Sequence, residues 1–208
     1  QAHRLTKLIS ERIQRLQAEG RLGAFPRVLA FQSVVDATVS PSALIDNLFR
    51  RLPANHHELV LFDINRHAEA EALLASDQAA FAQDLLHDPD LPFSVTLLSN
   101  ADRQSAAVAA FHYPAEPGPQ ALSMAWPPGI YSLSHVALPF APTDPIYGSR
   151  KPGGYAAQEP VVRLGRVELR GESGLLAFPP ELLMRLRFNP FFGYVERRVV
   201  EFVTAAEK

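Results

Sequence analysis

The chain has 208 residues, of which 47% are hydrophobic and 20% are charged, a composition typical of a globular domain with a substantial core. Its formal net charge is −2, so we expect no broad attraction to nucleic acid or to anionic membranes. The absence of cysteine excludes disulfides, thiolate zinc sites and a cysteine nucleophile.

Helical and strand-like segments alternate along the first hundred residues. The predicted helices, which show amphipathic or alanine-rich patterns, span residues 5–19, 41–52 and 67–87. The predicted strands, which are short apolar runs, span residues 27–32, 58–64 and 93–98. Ser99 and Asn100 are predicted to form a loop. The alternation predicts an α/β fold with a mostly parallel sheet and flanking helices.

The second half of the chain breaks this alternation. Prolines cluster between Pro114 and Pro160, so we expect residues 110–175 to form a proline-rich, irregular excursion. Within this region, short strands are predicted at residues 130–133 and 161–169. After it, helices are predicted at residues 179–186 and 191–205. No repeat or low-complexity linker divides the chain, which we interpret as a single domain over residues 1–208.

Asp36 is the most informative polar residue. A buried strand ends at Gln32, a tight loop presents Asp36, and a helix capped by Ser40 follows. Catalytic groups in open α/β sheets lie at the carboxyl ends of strands, where an aspartate can orient an imidazole. Taken alone, these residues are explained more simply by a turn-forming or helix-initiating aspartate.

Several segments resemble α/β-hydrolases of the esterase, lysophospholipase and serine aminopeptidase type. Gln32, Asp36 and Val39 are similar to the acid loop of that family. Residues 130–140 (IYSLSHVALPF), with the following DPIYG, are similar to the histidine loop of bacterial members. The resemblance also takes in residues 60–66 and 189–192. It implies that Asp36 and His135 are the acid and the histidine of a catalytic triad.

The nucleophile of such a triad is not found in this sequence. No G-x-S-x-G motif is present, and Ser173 in the stretch GESG lacks the required spacing. Chain order in the family is serine, then aspartate, then histidine. We therefore expect the chain, which starts at Gln1 with a helical pattern, to be the C-terminal part of a larger hydrolase domain. The visible sequence shows no signal peptide, which favours a cytoplasmic location.

The identity of the histidine is left open by the spacing. His67 follows the strand next after Asp36, which is the histidine's place in the simplest family members. His135 lies much further along the chain, but its surroundings match the family's histidine loop, and we predict it to be the catalytic base. Each histidine also has a structural interpretation. In it, His67 begins a helix and faces solvent, and His135 bonds to a backbone carbonyl.

Other candidate residues carry weaker signals. His56 and His57 lie in a predicted polar loop without the spacing of a metal site, so no metal and no cofactor are predicted. Asp63, at a strand end, is a structural residue or an alternative acid. The remaining candidates are aromatic residues that line an apolar acyl pocket or belong to the core, namely Trp126, Tyr131 and Phe140.

The resemblance implies hydrolysis of carboxylic esters, and less readily of amides, by the full-length protein, with this chain alone inactive. The expected partners are the N-terminal portion that carries the nucleophile and a small-molecule ester, with no nucleic acid. Another copy of the chain could instead cover the exposed edge of the sheet. The alternative is a non-catalytic α/β module that binds a partner or a small ligand.

Overall fold

A five-stranded mixed sheet forms the centre of the protein. The structure is a computed structural model that describes residues 2–36, 39–54, 56–68, 80–114, 118–133, 139–144, 147–148, 167–169, 184–186 and 188–205. The strands are β1 Leu29–Ser33, β2 Glu58–Phe62, β3 Ser94–Asn100, β4 Ala107–Tyr113 and β5 Gln120–Ala125. They lie side by side in the order β1-β2-β3-β4-β5, so neighbours in the sequence are neighbours in the sheet.

The first three strands run parallel, and the last two extend the sheet in antiparallel fashion. The α/β class is confirmed, and the parallel part coincides with the three predicted strands. The prediction of an irregular region from residue 110 onwards is wrong where β4 and β5 lie. Proline is excluded from the interior of a strand, but strands can lie on either side of it. Here β4 ends immediately before Pro114.

Each face of the sheet packs against its own hydrophobic cluster. All five residues of β2 are buried, and their side chains alternate between the two faces. Leu59 and Leu61 belong to a cluster that includes Ile45 and Phe49, whereas Val60 and Phe62 belong to the cluster on the opposite face. This explains why β2 is a continuous apolar run in the sequence.

Four helices surround the sheet in the described part of the chain: α1 Ala2–Ala18, α2 Pro41–Asn47, α3 Ala80–Leu86 and α4 Phe192–Thr204. The Ser40 side chain accepts a hydrogen bond from the Ala43 N–H, which caps α2 as predicted. The predicted continuation of α2 is a short 3₁₀ helix, Phe49–Arg51. No described helix has the length and apolar character needed to cross a membrane.

Three local predictions are wrong. Ser99 and Asn100 belong to β3 because they pair with β4, which was not predicted. Residues 130–133 do not form a strand. Met184–Leu186, part of the helix predicted at residues 179–186, is a strand, β7, that pairs antiparallel with β6, Val167–Leu169. Tertiary pairing overrides helix propensity there. The rest of the predicted segments 161–169 and 179–186 lies outside the described residues.

Candidate functional site

Asp36 lies in a tight turn directly after β1, with its carboxylate held at both oxygens. The Asp36 N–H donates to the Ser33 carbonyl (3.2 Å), and the Val39 N–H donates to Asp36 Oδ1 (3.0 Å). Gln32 Nε2 donates to Asp36 Oδ2 (3.2 Å) and to the Val39 carbonyl (2.6 Å). Since both groups are acceptors, only the amide nitrogen of Gln32 can face them. The loop therefore presents a fixed aspartate at the carboxyl end of the first parallel strand.

Asp63, directly after β2, is fully buried and has a different environment. Its Oδ1 accepts from the Ile64 N–H (2.8 Å) and from Arg66 Nη2 (3.1 Å). Its Oδ2 accepts from Arg66 Nε (2.5 Å) and from the Ser99 hydroxyl (2.6 Å). Four donors occupy the two oxygens, so Asp63 fits the structural role and not that of an alternative triad acid.

A pair of buried asparagines ties a distant segment to the same edge of the sheet. Asn65 donates to the Tyr131 carbonyl through its N–H (2.8 Å) and to the Ile130 carbonyl through Nδ2 (3.1 Å). Asn65 Oδ1 accepts from Asn100 Nδ2 (3.0 Å), and Asn100 Oδ1 accepts from the Arg66 N–H (2.7 Å). The segment that precedes His135 in the sequence is thereby fixed beside the carboxyl end of β2.

The two candidate histidines differ in what the structure describes. His135 lies outside the described residues. His67 is half-buried after β2, and its backbone N–H donates to Asn65 Oδ1 (3.1 Å). Because β1 and β2 are parallel neighbours, Asp36 and His67 lie at the same edge of the sheet. The assignment of the triad histidine to His135, with His67 as the alternative, stays a prediction.

Of the three aromatic residues near the histidine segment, Trp126 is a core residue. It is 4% exposed, and its ring packs edge-to-face against that of Phe191, with ring centroids 5.3 Å apart. Phe191 in turn stacks on Phe62 of β2 at 6.2 Å. Phe140 packs against Tyr147, with ring centroids 4.4 Å apart. Trp126 therefore joins the loop after β5 to the sheet, as its size and apolar surface favour.

His57 lies in the loop before β2, as predicted, but its burial was not predicted. The ring is fully buried next to β2, at the amino edge of the parallel strands. Its Nδ1 accepts a hydrogen bond from the Val28 N–H (3.0 Å), which requires a neutral ring with the proton on Nε2. Burial lowers the pKa of His57, and the Pro53 carbonyl opposes this in part. Nothing in the local sequence distinguishes it from its exposed-loop neighbours.

An ionic cluster at the same amino edge was also missed by sequence reasoning. The Arg198 guanidinium of α4 forms ion pairs with the carboxylates of Glu58 in β2 and of Glu201, each with an N···O distance of 2.5 Å. Burial raises the pKa of the adjacent Tyr194 to about 12, against the opposing charge of Arg198. These residues line a cleft of about 580 Å³. The cluster fastens α4 to the sheet at the edge opposite Asp36.

No three His, Asp or Glu side chains converge into a possible metal site within the part of the chain that the structure describes. Comparisons with protein-family models, with curated proteins and with solved structures find no match to this chain.

Proposed function

We propose that the chain is the C-terminal half of an α/β-hydrolase domain that hydrolyses carboxylic esters, and less readily amides, by a serine mechanism. Asp36 is the acid and His135 the general base. The sequence holds no G-x-S-x-G, so the serine and the oxyanion hole belong to a segment outside these 208 residues.

The observation that carries the proposal is the position and restraint of Asp36. It follows the first of three parallel strands, at the edge where open α/β sheets build their sites. Gln32 and the Val39 N–H hold its two oxygens, so the carboxylate has one orientation. A triad acid needs this restraint, because its role is to hold the imidazole in one tautomer and to stabilise the imidazolium.

The anchoring of residues 130–133 supports the choice of histidine. Leu133 is 1% exposed, and the Asn65 side chain ties Ile130 to the carboxyl end of β2. His135 itself lies outside the described residues. Because β2 is the neighbour of β1, the segment that precedes His135 in the sequence is tied to the edge of the sheet that carries Asp36, and this favours His135 as the histidine.

The open edge of β1 supports a missing part of the domain. Within the described residues, β1 pairs with β2 only and forms one margin of the sheet. Leu29 and Phe31 are half-buried there and pack against one hydrophobic cluster. Bare edges of this kind invite pairing. A further parallel strand from the N-terminal portion would cover the edge, and a second copy of the chain is the other possible occupant.

The proposed reaction follows the serine hydrolase scheme. His135 takes the proton of the serine hydroxyl as the oxygen attacks the ester carbonyl, and then gives that proton to the departing alcohol. Water, deprotonated by the same imidazole, then attacks the acyl-enzyme; the acyl–serine bond breaks, the carboxylic acid departs, and His135 returns the proton to the serine oxygen. Asp36 stabilises the imidazolium formed in both steps and is not itself protonated.

The test uses the full-length protein and p-nitrophenyl butyrate as substrate. Asp36→Asn should keep the fold and lower kcat by about 10⁴-fold, the loss seen for the equivalent change in a Ser-His-Asp protease. His135→Ala should cost at least as much, and the double variant no more than the worse single one, because triad residues act as a unit. Circular dichroism checks folding of each variant.

His67→Ala is the matched control and should retain wild-type turnover. If it abolishes turnover while His135→Ala does not, the histidine role belongs to His67. If neither histidine matters, or if the wild-type protein cleaves no ester or amide, the non-catalytic binding module is the better account.

A further inference from the structure

Gln32 connects the rigid sheet to the acid loop. It is the fourth residue of β1, lies opposite Leu61 of the fully buried strand β2, and is 6% exposed. Its amide nitrogen donates both to Asp36 Oδ2 and to the Val39 carbonyl. One side chain thus reaches from a strand, whose position the core determines, to both ends of the turn.

Backbone amides also hold Asp36. The Val39 N–H donates to Asp36 Oδ1, and the Asp36 N–H donates to the Ser33 carbonyl. The bond from Gln32 to Oδ2 restrains rotation of the carboxylate about its Cβ–Cγ bond from a buried position in β1. Hydrogen bonds to charged groups are the stronger ones.

We infer that Gln32 is a positioning residue that sets the plane of the Asp36 carboxylate and acts on turnover only through Asp36. The inference rests on the proposed function, in which Asp36 orients the catalytic histidine. Gln32 touches neither the substrate nor the reacting atoms in this account. Its removal should therefore lower kcat and leave KM unchanged.

The test is a double-mutant cycle in the full-length protein with p-nitrophenyl butyrate. Gln32→Met keeps the length of the side chain and removes the donor, and we expect kcat to fall about 10- to 100-fold. In the Asp36→Asn background the same change should have no further effect on kcat, because the carboxylate on which Gln32 acts is gone. Thr96→Val, which removes the part-buried hydrogen bond between Thr96 of β3 and His112 of β4, is the matched control and should leave kcat unchanged.

A structural role for Gln32 predicts different results. In that case Gln32→Met would lower kcat by the same factor with and without Asp36, or would raise KM, and the inference is overturned. If Asp36→Asn lowers kcat and Gln32→Met does not, the inference fails and the proposed function survives. If Asp36→Asn does not lower kcat, both the inference and the proposed function fail. Gln32→Leu, which also lacks the amide donor and carries no charge, replaces Gln32→Met in the cycle if that variant does not fold.

Discussion

At the scale of single residues, two aspartates that follow neighbouring strands have different surroundings. Asp63 is fully buried and bonded to the guanidinium of Arg66, whereas Asp36 is half-buried and receives its described hydrogen bonds from neutral amide groups. The sequence predicted the place of Asp36 from the strand, turn and helix around it. It could not separate the two roles, because the Ser99 that completes the Asp63 site comes from β3.

The pH dependence of stability belongs to the same scale and depends on His57. Its pKa is lowered from an ordinary 6.5 by burial, so the unfolded chain binds this proton at a higher pH than the folded chain. The stability associated with the neutral ring is present above about pH 6.5 and is lost as the pH falls below that value, through the lower folded pKa. Urea unfolding between pH 5 and about 8 measures this slope.

His57→Gln should flatten that slope, because glutamine does not titrate. His87→Gln is the matched control, since His87 is exposed and its ring bonds only the Gln83 carbonyl within its own helical turn. An unchanged slope in His57→Gln would show that the buried ring is not the group responsible.

At the scale of elements, apolar periodicity was sufficient to predict the helices and strands whose side chains are well buried. β1, β2, β3, α1 and α4 follow from patterns in the chain, because both faces of β2 and β3 are covered. The hairpin β4–β5 escaped prediction because β5 alternates between exposed and half-buried positions and lies between proline-containing loops. The strand β7 depends on a distant partner, β6, which no local pattern reveals.

The attachment of residues 130–133 to β2 can be tested at this scale. Asn65→Ala removes the side-chain bond to the Ile130 carbonyl and one of the two acceptors of Asn100 Nδ2, which keeps its bond to the Ser105 carbonyl. We expect hydrogen exchange across residues 126–133 to become about tenfold faster or more, while β2 and β3 keep their protection. Hydrogen-exchange mass spectrometry measures this, with Thr96→Val as the control. Unchanged exchange in Asn65→Ala would contradict the tether.

At the scale of the whole molecule, buried polar groups lie at both edges of the parallel strands. Asp36 and the Asn65–Asn100 pair lie at the carboxyl edge. The buried His57 and the pair Glu58–Arg198 lie at the amino edge and hold β1 and α4 in place. Asp36 lies at the edge where open α/β sheets place their chemistry.

The most direct test of the central claim is the distance between the Asp36 carboxylate and the His135 imidazole in a crystal structure of the full-length protein. The account predicts a hydrogen bond of about 2.6–3.2 Å, or somewhat longer without a ligand, with a strand of the N-terminal portion paired to β1. His67 bonded to Asp36, with His135 remote, would move the catalytic base to His67. Both histidines far from Asp36 would contradict the triad.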